Sequence, residues 1–335
     1  MDFVTLGSTG ITVNKNGFGA LPIQRISETQ AVHLLKKAFE NGITFFDTAI
    51  SYTDSEKKMG LALSHVRDKI FIATKTYAQR SDDLREHLKT SLSALNTDYI
   101  DIYQFHNHSF CPKPGDGTGL YEAMLEAKEQ GKIRHIGITN HRLHIAREAA
   151  DSGLYEIIQY PVSYLASDEE LDFVRSCKDK NIGVLAMKAL AGGLITNSAA
   201  AYAYLLQFDN ILPIWGIQFE HELDEFIAYQ VSPPVLNDEN KRAIDHDILE
   251  LKGEFCRGCG YCLPCPAEID IPIAARILQL MQRAPETFWF NDHCSEGMKR
   301  VDNCTECGQC KKACPYNLDV PKLLRTGWAE FSKLL

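Results

Sequence analysis

Between residue 15 and about residue 230, short apolar runs alternate with longer amphipathic stretches. Eight runs stand out, at 16–21, 44–47, 70–75, 100–105, 135–139, 157–159, 183–187 and 211–216. They are too short and too continuously apolar to alternate with polar residues, the mark of strands covered on both faces. Between them, 28–41, 81–95, 121–130, 143–152, 168–180 and 197–207 carry apolar positions at helical spacing. Ser27-Glu28-Thr29-Gln30 has the form of a capping box, and Ser81-Asp82-Asp83 supplies a cap and first-turn acids. Eight strand–helix units in about 200 residues predict an α/β fold closed as a (β/α)8 TIM barrel. An open doubly wound sheet is the competing arrangement, but no Gly-x-Gly-x-x-Gly follows the first run. Ahead of the barrel, 3–13, with Gly7-Ser8-Thr9-Gly10 at its centre, predicts a β-hairpin across the barrel floor.

Val231-Ser232-Pro233-Pro234 breaks the alternation and divides the chain into 1–232 and 233–335. A polar helix is expected at 237–252 and an amphipathic one at 272–284, the latter with its proline in the first turn. At 335 residues, with 45% hydrophobic and 24% charged, the chain suits a soluble enzyme of one large and one small domain. The net charge of −9 argues against nucleic acid or an anionic membrane as partner. No basic-then-apolar leader opens the chain, and no run nears the roughly 20 apolar residues of a membrane helix. Nine of the eleven cysteines lie from Cys256 onward, leaving Cys111 and Cys177 before them. Dense C-x-x-C pairs without a leader read as metal ligands in a reducing compartment, the cytoplasm.

Four polar residues fall at or just after consecutive strand ends. Asp47 closes Phe45-Phe46-Asp47, Tyr52 follows in the loop, Lys75 ends the third run and His106 follows the fourth. Any one alone reads as an ordinary strand-end residue; four together mark the mouth of such a barrel, where its chemistry sits. Phe46-Asp47-Thr48-Ala49-x-x-Tyr52, Lys75-Thr76, Asp101-x-Tyr103-x-x-His106 and Ser55-Glu56-x-x-x-Gly60 resemble the signature of the aldo-keto reductases, over roughly residues 1–230. The resemblance implies reduction of an aldehyde or ketone, or the reverse, by hydride from a nicotinamide cofactor. Tyr52 would donate the proton, Lys75 would lower the phenol's pKa, and Asp47 would hold Lys75. His106 would bind the substrate oxygen.

The same resemblance implies the cofactor contacts. Thr139, Asn140 and Gln159 would hold the carboxamide, with Asp47 beside them. Gly192, Gly193 and Gly216 would cover the pyrophosphate and adenosine. Three departures matter. Met187 stands where an aromatic would stack on the nicotinamide, although Lys188 still offers a positive charge to the phosphates. After Gly216 the chain reads Ile217-Gln218-Phe219-Glu220-His221-Glu222, without the cations that grip a 2′-phosphate, and Glu225-Phe226 replaces the usual ending. Gln218, Glu222 and Glu225 are the cofactor contacts expected here; family habit favours NADP(H), whereas Glu222, as a ribose acceptor, favours NAD(H).

Cys256-x-x-Cys259-x-x-Cys262-x-x-Cys265-Pro266 precedes Cys304-x-x-Cys307-x-x-Cys310-x-x-x-Cys314-Pro315. The second run has the bacterial ferredoxin spacing, and the first is one residue shorter at its last gap. The small, mainly helical C-terminal domain is therefore expected to be ferredoxin-like and to hold two 4Fe-4S clusters. By the crossover rule, Cys256, Cys259, Cys262 and Cys314 bind one, and Cys304, Cys307, Cys310 and Cys265 the other. Structural zinc is the competing ligand. Barrel and cysteine runs together resemble the ferredoxin-linked branch of the family.

Hydride moves two electrons and a cubane one, and no flavin motif joins them. The clusters are thus structural, or serve a second reading in which an electron-transfer protein exchanges electrons through them. A third is a non-catalytic redox or nicotinamide sensor, which has no need for Tyr52 and Lys75 together. The substrate is a small carbonyl compound, its pocket built by loops such as 109–118.

Overall fold

A computed structural model describes residues 2–251, 255–283 and 289–335. These form two compact units, one of 2–189 with 202–236 and the other of 190–201 with the described part of 237–335.

In the first unit the eight apolar runs become the staves of a closed parallel barrel. They are β3 (Gly17–Gly19), β4 (Phe45–Asp47), β5 (Phe71–Thr76), β6 (Ile100–His106), β7 (Ile133–Thr139), β8 (Ile157–Pro161), β9 (Gly183–Met187) and β10 (Ile211–Gly216). The order runs β10-β3-β4-β5-β6-β7-β8-β9, each stave paired with its sequence neighbour and β10 closing on β3. An antiparallel hairpin, β1 (Phe3–Thr5) and β2 (Thr12–Asn14), precedes them. Its Val4, Leu6, Ile11 and Val13 bury against Phe45, Ile102, Ile157, Leu185 and Leu212, forming the expected floor.

The barrel's helices are α1 (Glu28–Glu40), α2 (Ser55–Leu63), α3 (Ser81–Leu95), α4 (Leu120–Glu129), α5 (Leu143–Ser152), α6 (Asp168–Asp179) and α8 (Glu220–Val231), while α7 (Ser198–Leu205) belongs to this unit from Tyr202 onward. The Ser27–Gln30 capping box is formed as expected. Ser81 is not a cap. It is the first helical residue of α3, and Arg80 in the capping position gives no side-chain acceptor. The acids Asp82 and Asp83 still sit in that turn, where the helix dipole favours them.

The register sets the site. Asp47 lies opposite Ala73, Lys75 opposite Gln104, His106 opposite Thr139, and Thr139 opposite Gln159. Parallel pairing thereby carries residues far apart in sequence to one end of the barrel.

The second unit is helical: α9 (Asp238–Glu250), α10 (Ile271–Ala274), α11 (Ile277–Arg283), α12 (Asp292–Lys299), α13 (Gln309–Ala313) and α14 (Val320–Phe331). Ile269, Ile271, Ile277, Met298, Val301, Leu324 and Phe331 form its core together with Cys256, Cys294 and Cys310. The single helix expected at 272–284 is two, α10 and α11, and residue 284 lies outside the described residues. The break follows Ala275, where the Arg276 Nε donates to the Pro272 carbonyl at 2.8 Å. Gly327 of α14 is required by close approach: a Cβ there would lie 2.7 Å from the Ile277 side chain and 2.9 Å from the Ala274 carbonyl oxygen. Among the described residues no helix is long and apolar enough to cross a membrane.

Candidate active site

Lys75, 1% exposed, donates to both Asp47 carboxylate oxygens at 2.8 Å and to the Thr48 carbonyl at 2.5 Å. A buried ammonium needs this full set of acceptors, because desolvation otherwise favours its neutral form. Burial pushes Asp47 up and Lys75 down, while their mutual contact opposes both shifts. The Lys75 nitrogen lies 5.2 Å from the centre of the Tyr52 ring. Tyr52 and His106 meet edge to face with ring centres 6.0 Å apart, and the Ser51 hydroxyl lies 3.4 Å from His106 Nδ1. The structure thus brings together all four residues of the signature.

Their protonation departs from expectation at one point. The Tyr52 phenol is raised above its ordinary value, by burial first and by the Asp47 carboxylate second. Lys75 directs its protons at Asp47 and Thr48, so the field at the phenol is not that of a bare ammonium. His106 is pushed down to about 3 by burial, by Lys75 and by His108. It is therefore a neutral imidazole at working pH, able to donate or accept at a substrate oxygen.

Around the barrel, Gln159 accepts from Gln104 Nε2 at 2.9 Å, and its own amide supports Asp47. Gln104 escaped the sequence reading, although a polar residue inside an apolar strand run was the available signal. Its Oε1 is buried without a partner, and a buried acceptor in that state calls for a donor. The Thr139 hydroxyl points at the Met187 sulfur, 3.8 Å away. The Asn140 side chain serves the backbone, donating to the His108 carbonyl at 2.8 Å and accepting from Arg142 N–H at 2.9 Å. Lys188 takes a left-handed φ of 57° directly after β9.

The remaining cofactor candidates are dispersed. Gly216 ends β10. Glu222 caps α8, its Oε2 accepting from the Gln218 and Phe219 N–H groups at 2.7 and 2.9 Å. Glu225 accepts from the Tyr229 hydroxyl at 2.8 Å. Gly192 and Gly193 belong to the second unit, with φ of 69° and 92°. There the Gly192 carbonyl accepts from Arg276 at 2.7 Å.

The second unit holds a cavity lined by Cys262, Cys265, Cys304, Cys307 and Cys310, walled by Ile269, Ile271 and Leu324. Cys256 is buried beside it in the same core, and the Gly258 N–H donates to its sulfur at 3.3 Å. Gly258, Gly260 and Gly308 adopt φ of 61°, 79° and 72°, which lets the C-x-x-C loops turn tightly. Cys307 is exposed. Several sulfurs around one apolar-walled space fit an iron–sulfur cluster, whose ligands are thiolates. Cys294, by contrast, packs into the core at the start of α12.

Comparison with known proteins agrees with this geometry. The Aldo/keto reductase family matches residues 15–205, and the 4Fe-4S dicluster domain matches residues 255–319. The L-galactose dehydrogenase of Arabidopsis thaliana is 33% identical over 210 residues, 57% of this chain and 66% of its own. The NADH-specific methylglyoxal reductase of Escherichia coli is 29% identical over 228 residues, covering 59% and 70%. The chain thus spans about two thirds of the length of such relatives. Among solved structures, an aldo-keto reductase from Klebsiella pneumoniae in complex with NADPH superposes with a TM-score of 0.63 at 22% identity, covering 73% of this chain and 95% of its own. A thermostable aldo-keto reductase bound to the inhibitor epalrestat gives 0.61 at 26% identity, covering 74% and 100%. The chain belongs to the aldo/keto reductase family and carries, C-terminal to its barrel, a 4Fe-4S dicluster domain.

Proposed function

We propose that the protein is a nicotinamide-dependent reductase that converts an aldehyde or ketone to an alcohol, with Tyr52 as the proton donor. The observation that carries this reading is the Lys75–Asp47 pair, buried and bidentate, set below a Tyr52 phenol that faces His106. A carbonyl at the mouth would accept a hydrogen bond from the neutral His106 imidazole. As charge grows on its oxygen, the phenol gives up its proton, and Lys75 stabilises the phenolate left behind. Burial first and the Asp47 carboxylate second push that phenol upward, so Tyr52 enters the reaction protonated, as an acid must. The cofactor, when bound, supplies the hydride. Thr139, Gln159 and the orphaned Gln104 oxygen offer the donor and acceptor set that a carboxamide needs.

Tyr52→Phe should lower carbonyl reduction by about 10²- to 10⁴-fold, the usual worth of a general acid. Cofactor affinity, read by fluorescence titration, should stay within about twofold. Turnover retained by that variant would overturn the proton-donor role.

The stretch after β10 presents no cation for a 2′-phosphate, and Glu222 is engaged in capping α8. Neither NADP(H) nor NAD(H) therefore has a strong local grip there, and the two should bind within about tenfold of one another. The cavity cysteines support a cluster held by Cys265, Cys304, Cys307 and Cys310, and Cys256, Cys259, Cys262 and Cys314 would hold a second. The exposure of Cys307 favours a second reading, in which an electron-transfer protein reaches that cluster.

A further inference from the structure

The mouth of the barrel carries more positive charge than the proton-transfer machinery uses. His141 and Arg142 follow β7 and Asn140, in the loop leading to α5. His141 is buried at 4% exposure, and burial first, then the neighbouring Lys188 and Arg142 charges, hold it as a neutral imidazole. Its backbone is fixed by Asn107, whose side chain accepts the His141 N–H at 3.2 Å while its own N–H donates to the Thr139 carbonyl. Arg142 is the telling member: its Nη1 is buried and has no hydrogen-bond partner among the described residues.

A guanidinium nitrogen out of water and without an acceptor is costly, and such groups are retained where an anion completes them. Asp47, the carboxylate of this site, does not serve: its hydrogen bonds go to Lys75 and Gln159. We propose that Arg142, supported by His141 and Lys188, forms an anion subsite for the carboxylate of an oxoacid substrate. This deepens the carbonyl-reductase reading above and rests on it. Substrate and cofactor could each bring the anion, as carboxylate or as phosphate; the backbone tie from His141, next to Arg142, to Asn107, next to His106, favours the substrate. The acid group would seat on the Arg142 side while its carbonyl oxygen lies at His106 and Tyr52.

The test compares 2-oxopropanoate and 4-oxobutanoate, each against its neutral methyl ester, in the cluster-loaded protein. The wild type should prefer at least one acid over its ester in kcat/KM. In Arg142→Met that preference should drop by about 30-fold or more, since truncating a desolvated charge partner typically costs 2–5 kcal/mol. Arg142→Lys should restore only part of it, the fork being lost. Calorimetry with oxalate on the NADP⁺-bound protein provides a readout independent of turnover: binding to the wild type, and none to Arg142→Met. Thermal unfolding of Arg142→Met should stay close to the wild type, because Nη1 has no hydrogen bond to lose and methionine keeps the packing of the stem. A variant that weakens NADPH binding while leaving the acid-to-ester ratio intact would assign the anion to the cofactor and overturn the proposal. So would a wild type that shows no preference and binds no oxalate. If no carbonyl is reduced but oxalate still binds through Arg142, the reductase reading fails and the anion subsite stands.

Discussion

The barrel mouth and the cysteine-lined cavity solve the same problem, holding several reactive groups at one point, by different means. At the mouth, each group stands on a strand end whose position is set by a parallel ladder, and the buried charges are already paired with one another. In the cavity, Cys262, Cys265, Cys304 and Cys307 sit on irregular loops with left-handed glycines, Cys310 stands on the short α13, and α10 is as short. One site is built by backbone pairing. The other converges on a space that a ligand would fill. The barrel should therefore keep its shape without its cofactor, whereas the second unit should depend on its clusters.

The largest effect expected breaks the comparison at that point. Cys304→Ala with Cys307→Ala, or iron chelation, removes a binding energy that is also folding energy in small metal domains. Amide exchange should then become fast throughout α13 and α14, while β5 and β6 keep their protection. Protection retained in α13 would show that the apolar core of Ile271, Met298, Leu324 and Phe331 suffices by itself.

Next comes the pair inside the barrel. Lys75→Met leaves Asp47 buried without its partner, which costs about 3–5 kcal/mol and lowers the melting temperature, along with most of the turnover. Adding Asp47→Leu should recover much of the stability, because well-packed apolar replacements of buried pairs are often neutral. It should recover no activity. If stability returned only with charge, the pair would be holding the barrel rather than the chemistry.

What the sequence made legible follows the same division. β9 and β10 were readable to the residue because turn-forming neighbours bound continuous apolar runs. The signature residues were readable because strand ends are fixed by those runs. Gln104 was hidden in an apolar strand, and its contact with Gln159 forms only because β7 sets β6 and β8 on either side of it in the barrel. The break between α10 and α11 was hidden for the opposite reason. Ile271, Ala274, Ile277 and Leu280 keep a helical period and are all buried, while the break is made by Arg276 side-chain bonds no periodicity records. The capping contact of Glu222 was hidden because a cap formed from inside the helix, preceded by Phe219, lacks the usual Ser or Thr signal.

A smaller effect separates the two regions by pH. His106 is depressed to about 3 in the folded chain from an ordinary 6.5. Between those values the unfolded chain binds more protons than the folded one, so this contribution to stability is full above 6.5 and is lost as pH falls towards 3. The slope is about 1.4 kcal/mol per pH unit for one proton. His106→Asn should flatten the acid side of the barrel's stability profile, measured by urea unfolding between about pH 4 and 7. In the same window kcat/KM should show no histidine ionisation.

The smallest effect tests whether Glu222 is a cap or a cofactor ligand. Its Oε2 satisfies two N–H groups at the start of α8 and places a negative charge where the helix dipole is positive. Glu222→Ala should cost about 1 kcal/mol of stability, the typical worth of a cap. Glu222→Gln keeps the acceptor but not the charge, so it should retain most of that. If capping is the whole of its role, neither variant changes the ratio of NADH to NADPH affinity by more than about twofold. A ribose ligand would instead lose NADH affinity selectively in the alanine variant, and a repelled phosphate would make NADPH bind more tightly in both. The glutamine variant is decisive: it alone separates a charge felt by the cofactor from a cap felt by the helix.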